Sequence, residues 1–247
     1  MERFEGKVAI VTGAASGMGR ATALRLSSEG ASVFGVDVND AGLKETQDLA
    51  DRPFAWRVTD IRSRDECHAA VAACVAEFGG LDVLANVAGV LRLGHVQDVT
   101  EDEFRLVFDV NVGGTYWMCQ AAIPHLIERK GNLVNVASNA GLMGAAYTTV
   151  YGASKAAVVN LTRCLAMEYV KAPIRVNCVA PGGVDTPMTA DSPLPDDVDW
   201  KLVAPYMGFR KMAKPEALAA VIAFVASDEA QQMHGSVVSA DSGLTAG

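Results

Sequence analysis

Short apolar runs alternate along the chain with longer stretches in which apolar positions recur at helical spacing. Lys7–Thr12, Ser32–Asp37, Pro53–Val58, Leu81–Asn86, Asn132–Ser138, Ile174–Ala180 and Ser236–Ala240 read as strands. Between them, Gly17–Gly30, Asp40–Asp51, Ser63–Phe78, Thr100–Lys130, Val150–Lys171 and Pro215–Ser227 read as helices. The long stretch Thr100–Lys130 is expected to bend near Gly113-Gly114. Residues 187–214 are broken by prolines and read as irregular.

Strands that alternate with helices predict βαβ units, and therefore a parallel sheet covered on both faces. No linker, repeat or low-complexity segment divides the 247 residues. One α/β domain over residues 1–247 is expected, a Rossmann-type doubly wound parallel sheet with its ligand at the carboxyl ends of the strands. Half the residues are hydrophobic and only 6% are aromatic, which suits closely packed strands under helices. The net charge of -8 gives no general attraction for nucleic acid or an anionic membrane. No apolar run approaches the roughly 20 residues that cross a bilayer. The stretch Met1–Lys7 does not read as a signal peptide. Five cysteines without a CxxC pair read as reduced thiols of a cytoplasmic protein. Four scattered histidines give a metal site no support.

Two constellations carry chemistry. The first is Thr12-Gly13-Ala14-Ala15-Ser16-Gly17-Met18-Gly19, between the first strand and first helix. Gly13 suits a tight turn, Gly17 a close backbone approach to a pyrophosphate, and Gly19 close packing of helix on strand. The helix start then offers free N–H groups and partial positive charge to phosphate. Asp37 ends the second strand, where a carboxylate accepts hydrogen bonds from ribose hydroxyls and repels a 2′-phosphate. No cation follows in Val38-Asn39-Asp40, and position 16 is Ser, so NAD is favoured over NADP.

The second constellation is Tyr151-Gly152-Ala153-Ser154-Lys155 at the start of a helix. Tyr151 and Lys155, four residues apart, share a helix face. An ammonium beside a phenol is expected to favour the phenolate and lower its pKa. Ser138, at the end of the fifth strand, can hold a carbonyl oxygen while Tyr151 gives or takes its proton, which suits alcohol–ketone interconversion.

With these motifs in order, the chain resembles the short-chain dehydrogenase/reductase family over nearly its full length. The glycine motif at Thr12–Gly19 matches. So do Asp60-Ile61 after the third strand, Asn86-Val87-Ala88-Gly89 with Val in place of a second Asn, Asn111, Ser138, Tyr151 and Lys155, and the turn Pro181-Gly182. Ser138 and Tyr151 stand thirteen residues apart, the usual family interval. The C-terminal Asp241-Ser242-Gly243 departs from the more usual Asp-Gly-Gly.

The resemblance implies roles. Asp60 and Ile61 would contact adenine. Lys155 would also bind the nicotinamide ribose. Asn111 would hold a water that relays protons from Lys155. Val184 and Thr186 would hold the nicotinamide carboxamide. Gly13, Ser16, Gly17, Met18, Gly19, Asp37, Asn86, Ala88, Gly89, Tyr151, Pro181 and Gly182 complete the expected cofactor site. Residues 187–214 would form a lid over substrate, and the family likeness points to a homotetramer. The apolar Val150–Lys171 helix, with small residues on more than one face, fits such an assembly.

Met188, Leu194, Trp200, Leu202, Tyr206, Met207 and Phe209 of the lid, with Met143 and Tyr147, suggest an apolar pocket and a lipophilic or alicyclic small-molecule alcohol or ketone. Arg92 and His95 read either as substrate contacts or as exposed loop residues. The leading expectation is an NAD-dependent secondary-alcohol dehydrogenase or ketone reductase. A 3-oxoacyl-thioester reductase of the acyl-carrier-protein type is the alternative within the class. In such family members basic residues near Arg129 and Lys130 dock the acidic carrier. A catalytically idle NAD-binding regulator is the alternative from another class; Asn111, Ser138, Tyr151 and Lys155 together argue against it.

Overall fold

The computed structural model describes residues 2–208 and 210–246. Phe209, expected among the apolar lid residues, lies outside the described residues. Seven strands, β1 (Val8–Thr12), β2 (Ser32–Asp37), β3 (Phe54–Val58), β4 (Val83–Asn86), β5 (Asn132–Val136), β6 (Arg175–Pro181) and β7 (Val237–Ala240), form one sheet in the order β3-β2-β1-β4-β5-β6-β7. Every pairing is parallel. The order reverses between β1 and β4, and a crevice opens at the carboxyl edge where two crossovers diverge.

Alternation along each strand feeds two cores. Ala9 and Val11 of β1 join Val33, Val134 and Val179 on one face, under helices α1 (Gly17–Ser28) and α9 (Pro215–Ala226). Val8 and Ile10 join Phe34, Leu84 and Leu133 on the other, under α3 (Arg64–Phe78) and α5 (Thr115–Arg129). A strand buried on both faces reads as a continuous apolar run, and this is why β1 and β4 lack a polar side. The remaining helices are α2 (Asp40–Asp48), α4 (Glu101–Phe108), α6 (Thr149–Glu168), α7 (Pro187–Ala190) and α8 (Trp200–Met207).

Two local expectations change. The helix expected over Thr100–Lys130 is α4 and α5 joined by a π-turn, Asp109–Gly114. Thr100 and Glu103 close a reciprocal capping box at its start. The inserted turn re-aims Asn111 toward the crevice loops, so the expected bend is a change of winding that begins ahead of the glycines. Residues 187–214 are not wholly irregular: α7 starts with Pro187 at its first position, and Asp199 caps α8 through Lys201 N.

Arg175, at the start of β6, fastens the end of α9 and the turn after it. Its guanidinium donates to the carbonyls of Val225 (3.2 Å), Ser227 (2.7 Å) and Ala230 (3.0 Å). Arg175→Met should strand these carbonyls and cost about 2–3 kcal/mol. Urea unfolding of parent and variant measures this; equal midpoints would remove the anchor from the account.

Candidate active site

The β1–α1 junction builds the inner wall of the crevice. Gly13 and Gly17 hold φ values of 72° and 49°, which side-chain-bearing residues avoid. A Cβ on Gly19 would collide with the carbonyl of Gly13, so helix and strand touch there. Ser16 is extended at the helix N-cap, and its side chain caps nothing, so the first-turn N–H groups are left for another acceptor. Thr12 Oγ1 accepts from the N–H groups of Val87 (3.0 Å) and Ala88 (3.1 Å), which ties the β1 end to the loop after β4.

These elements line a cleft of about 500 Å³. Of the residues expected to hold the cofactor, Gly13, Ser16, Gly17, Met18, Gly19, Asp37, Asp60, Ile61, Ala88, Gly89 and Thr186 border it. Asp37 accepts from Ala15 N (3.1 Å) and Asn39 N (3.0 Å), which orients its carboxylate at the cleft wall. The donor-rich helix start and this fixed carboxylate fit a dinucleotide, with phosphate at the first and ribose at the second.

Other expected cofactor residues lie elsewhere. Asn86 is buried beneath the cleft, and its amide donates to Asn135 Oδ1 (2.9 Å). Asn135 in turn donates to Thr162 Oγ1 (3.0 Å), so Asn86 belongs to a polar chain through the sheet. Val184 is buried and forms a bridge to Ala213. Neither it nor Pro181 nor Gly182 borders the cleft.

Sequence reading also missed a cation. Arg62 borders the cleft and clasps Asp60 through Nε (2.9 Å) and Nη2 (2.6 Å). The guanidinium holds the Asp60 carboxyl below its ordinary range. An Arg two residues past Asp60 is visible in the chain, but its aim is not.

Ser138, Tyr151, Lys155 and Asn111 do not border this cleft directly; Asn111 and Lys155 reach it behind Gly89. A Cβ added to Gly89 would stand 3.1 Å from Asn111 Oδ1 and 3.2 Å from Lys155 Nζ. Lys155 is buried and donates to the Val136 carbonyl (3.0 Å). Its Nζ lies 5.8 Å from the Tyr151 ring centroid. The Ser138 hydroxyl donates to Asn139 Oδ1 (3.2 Å) and accepts from Ala140 N (3.2 Å), and its proximity favours the ionised form of the Tyr151 phenol. Asn111 Oδ1 accepts from Val90 N (2.8 Å), and its amide donates to Val90 O (3.0 Å) and Ser154 Oγ (3.0 Å). The Asn111 side chain is thereby engaged on the loop and on α6. Ser154, inside the Tyr151–Lys155 motif, is a further member that the pattern alone did not single out.

The expected lowering of the phenol pKa is not what the geometry gives. Burial pushes Tyr151 up, and the Ser138 contact only partly offsets this. The ammonium faces the ring and bonds a carbonyl, and burial pulls it down to about 8. Desolvation acts on both groups against their charged forms, and it outweighs their attraction at this separation.

The segment before α8 is tied to the loops before Tyr151 and after β4. Asp199 N donates to the Tyr147 hydroxyl (2.8 Å), and His95 Nε2 lies 3.0 Å from Asp197. His95 thus meets the Asp197 carboxylate and the edge of Tyr147, 5.0 Å between centroids, and is not a fully exposed loop residue.

A family model described as enoyl-(acyl carrier protein) reductase matches residues 13–245. The 3-oxoacyl-[acyl-carrier-protein] reductase of Thermotoga maritima is 39% identical over 98% of this chain and 99% of its own. The chain belongs to the short-chain dehydrogenase/reductase family. The cis-4-hydroxycyclohexanecarboxylate dehydrogenase of Sinomonas cyclohexanicum is 38% identical, covering 99% of each chain. The solved short chain dehydrogenase from Mycobacterium paratuberculosis bound to NAD superposes with a TM-score of 0.92 at 34% identity, over 99% of this chain and 100% of that one. Within this dehydrogenase/reductase fold, the cleft lies at the order reversal of the sheet.

Lys155 gives a stability test. Its folded pKa of about 8 lies below the ordinary 10.5. Below pH 8 the folded state therefore carries the full penalty of a buried charge, roughly 3 kcal/mol. As pH rises from 8 to beyond 10.5 the penalty disappears, because the unfolded chain then also loses its proton. Lys155→Met should stabilise the protein by about 1–3 kcal/mol at pH 7, net of the lost hydrogen bond. That advantage should fade through the same alkaline window. Denaturation midpoints at pH 7 and pH 10 check it; a less stable variant at pH 7 would refute the penalty.

Proposed function

We propose that this protein is an NAD-dependent oxidoreductase that interconverts a secondary alcohol and a ketone. The observation that carries the reading is the buried Lys155 ammonium, which stands behind Gly89 of the dinucleotide-shaped cleft and 5.8 Å from the ring centroid of the half-buried Tyr151, with Ser138 close to the phenol. Bound NADH would supply the hydride to the carbonyl carbon. Ser138 Oγ donates a hydrogen bond to the carbonyl oxygen, and Tyr151 Oη donates the proton that completes the alcohol. The raised pKa keeps the phenol protonated at neutral pH, ready to act as an acid in the reducing direction. Lys155 takes the nicotinamide ribose, and Asn111 fixes Val90 and α6 around it and would hold the water that relays protons from Lys155 to solvent.

The proposal takes residues 1–247 as one domain with 187–214 as the lid. The NAD-bound relative supports the cofactor, and the alicyclic hydroxy acid in the other relative's name supports a cyclic substrate. A homotetramer is supported by the family and by the exposed apolar side chains of Phe104, Tyr116 and Met167. Five free cysteines support a reducing, cytoplasmic location. Similarity to the Thermotoga reductase favours one second reading, a 3-oxoacyl-thioester reductase. Two features weigh against it: Arg129, expected to greet an acidic carrier, lies 3.4 Å from Asp82, and the net charge is -8.

Tyr151→Phe should keep NAD affinity and lose roughly 100- to 10,000-fold in turnover. Activity within threefold of the parent on a panel of secondary alcohols would refute the acid/base role.

Cofactor choice rests on Asp37. Like charges about 4 Å apart near a protein surface repel by on the order of 4 kcal/mol before further screening. Half of that gives more than a ~10-fold preference for NAD. The Arg62 cation on this wall is matched by Asp60. Asp37→Ser with Val38→Arg should move the ratio of kcat/KM for the two cofactors toward NADP, less so at high salt. A parent that prefers NADP, or a ratio that does not move, would reopen the assignment.

A further inference from the structure

We propose that Arg92 is a carboxylate-binding residue, and that the substrate is therefore an anionic one, a cyclic or lipophilic hydroxy or oxo acid. The inference rests on the oxidoreductase reading and adds the substrate's charge to it. Arg92 borders the cleft beside Val90, Leu106 and Met188, and is half-buried there. Its guanidinium makes one hydrogen bond, from Nη1 to the Leu91 carbonyl (2.8 Å), which Ser192 Oγ of the lid also approaches (3.2 Å). Among the described residues no carboxylate lies within salt-bridge distance of it.

The nearby acids are accounted for. Glu103 feels the Arg92 charge, but it lies beyond salt-bridge distance, with its Oε2 held by Thr100 N (3.0 Å) and Oγ1 (3.0 Å) in the capping box. Asp191 stands exposed at the rim, where water screens it. Arg62 shows the contrast within the same cleft: its guanidinium is fully clasped by Asp60. A guanidinium carries five donors in a planar fork that matches a carboxylate. Arg92 uses one of them, against apolar walls, where unmet donors are costly. A planar carboxylate matches this fork in shape and charge.

The position suits a substrate contact. Arg92 lies three residues past Gly89, no more than about 10 Å of chain. Gly89 is the point where Lys155 and Asn111 meet the cleft. A ring or short chain can therefore place its reacting carbon inward and its carboxylate at Arg92.

The test uses cyclohexanecarboxylate and its uncharged isostere cyclohexanecarboxamide, titrated calorimetrically into the full-length protein with and without NADH. The parent should bind the carboxylate roughly tenfold or more tightly than the amide, with the gap narrowing as salt rises. Arg92→Gln should equalise the two ligands while NADH affinity and thermal midpoint stay at parental values. Arg92→Lys, keeping charge without the fork, should retain part of the gap. Equal affinities in the parent, no binding of either ligand, or a gap that survives in Arg92→Gln would each overturn the proposal. Should Arg92→Gln fail to fold, the parental preference and the Arg92→Lys gap decide. Failure of NADH to bind would sink the oxidoreductase reading separately, since the ligand preference is also read without it.

Discussion

The ammonium of Lys155 is held almost out of water, with the Val136 carbonyl as its protein acceptor and the Tyr151 ring as its neighbour. A buried cation is an expensive feature, and the surroundings are arranged to tolerate it. The π-turn at Asp109–Gly114 brings Asn111 over the same corner, and Asn111 in turn grips Val90 and Ser154. Gly89 is small because a side chain there would press on both groups. Loop, helix and strand are therefore positioned by the need to enclose one charge beside one phenol. The consequence is chemical: burial displaces both groups toward their neutral forms.

Below the site, polar side chains cross the sheet where an apolar core would be expected. Asn86, Asn135 and Thr162 join β4, β5 and α6 by hydrogen bonds of 2.9 and 3.0 Å. A buried amide chain specifies register more sharply than aliphatic packing, because a slip of one residue would leave each member unpaired. It also explains why an Asn read as a cofactor contact lies in the core: its amide holds together the strands whose loops carry the site.

The cleft itself is divided by charge. Toward the β2–β3 end, Asp37 and the Arg62–Asp60 pair leave an acid exposed to the wall and a cation already balanced. Toward Pro187 and Met188, Arg92 has no salt-bridge partner among the described residues. The same residue type thus has opposite meanings at the two ends, set by which carboxylate the fold brings near.

Alternation of apolar runs and helical spacing was enough, by itself, to determine seven strands, their helices and a parallel doubly wound sheet. Both properties are local and periodic, so they survive in one dimension. The glycine turn, Asp37, Ser138 and the Tyr151–Lys155 pair were legible for the same reason: each sits at a strand end or helix start whose place the pattern defines. Four things were settled only by packing. Asn86 faces the core, Arg62 clasps Asp60, His95 reaches Asp197 across 102 residues of sequence, and the phenol of Tyr151 is raised where a neighbouring ammonium alone would have lowered it. Each depends on burial or on a partner whose aim the chain order does not encode, because desolvation and pairing act through space and are defined only once distant segments have met.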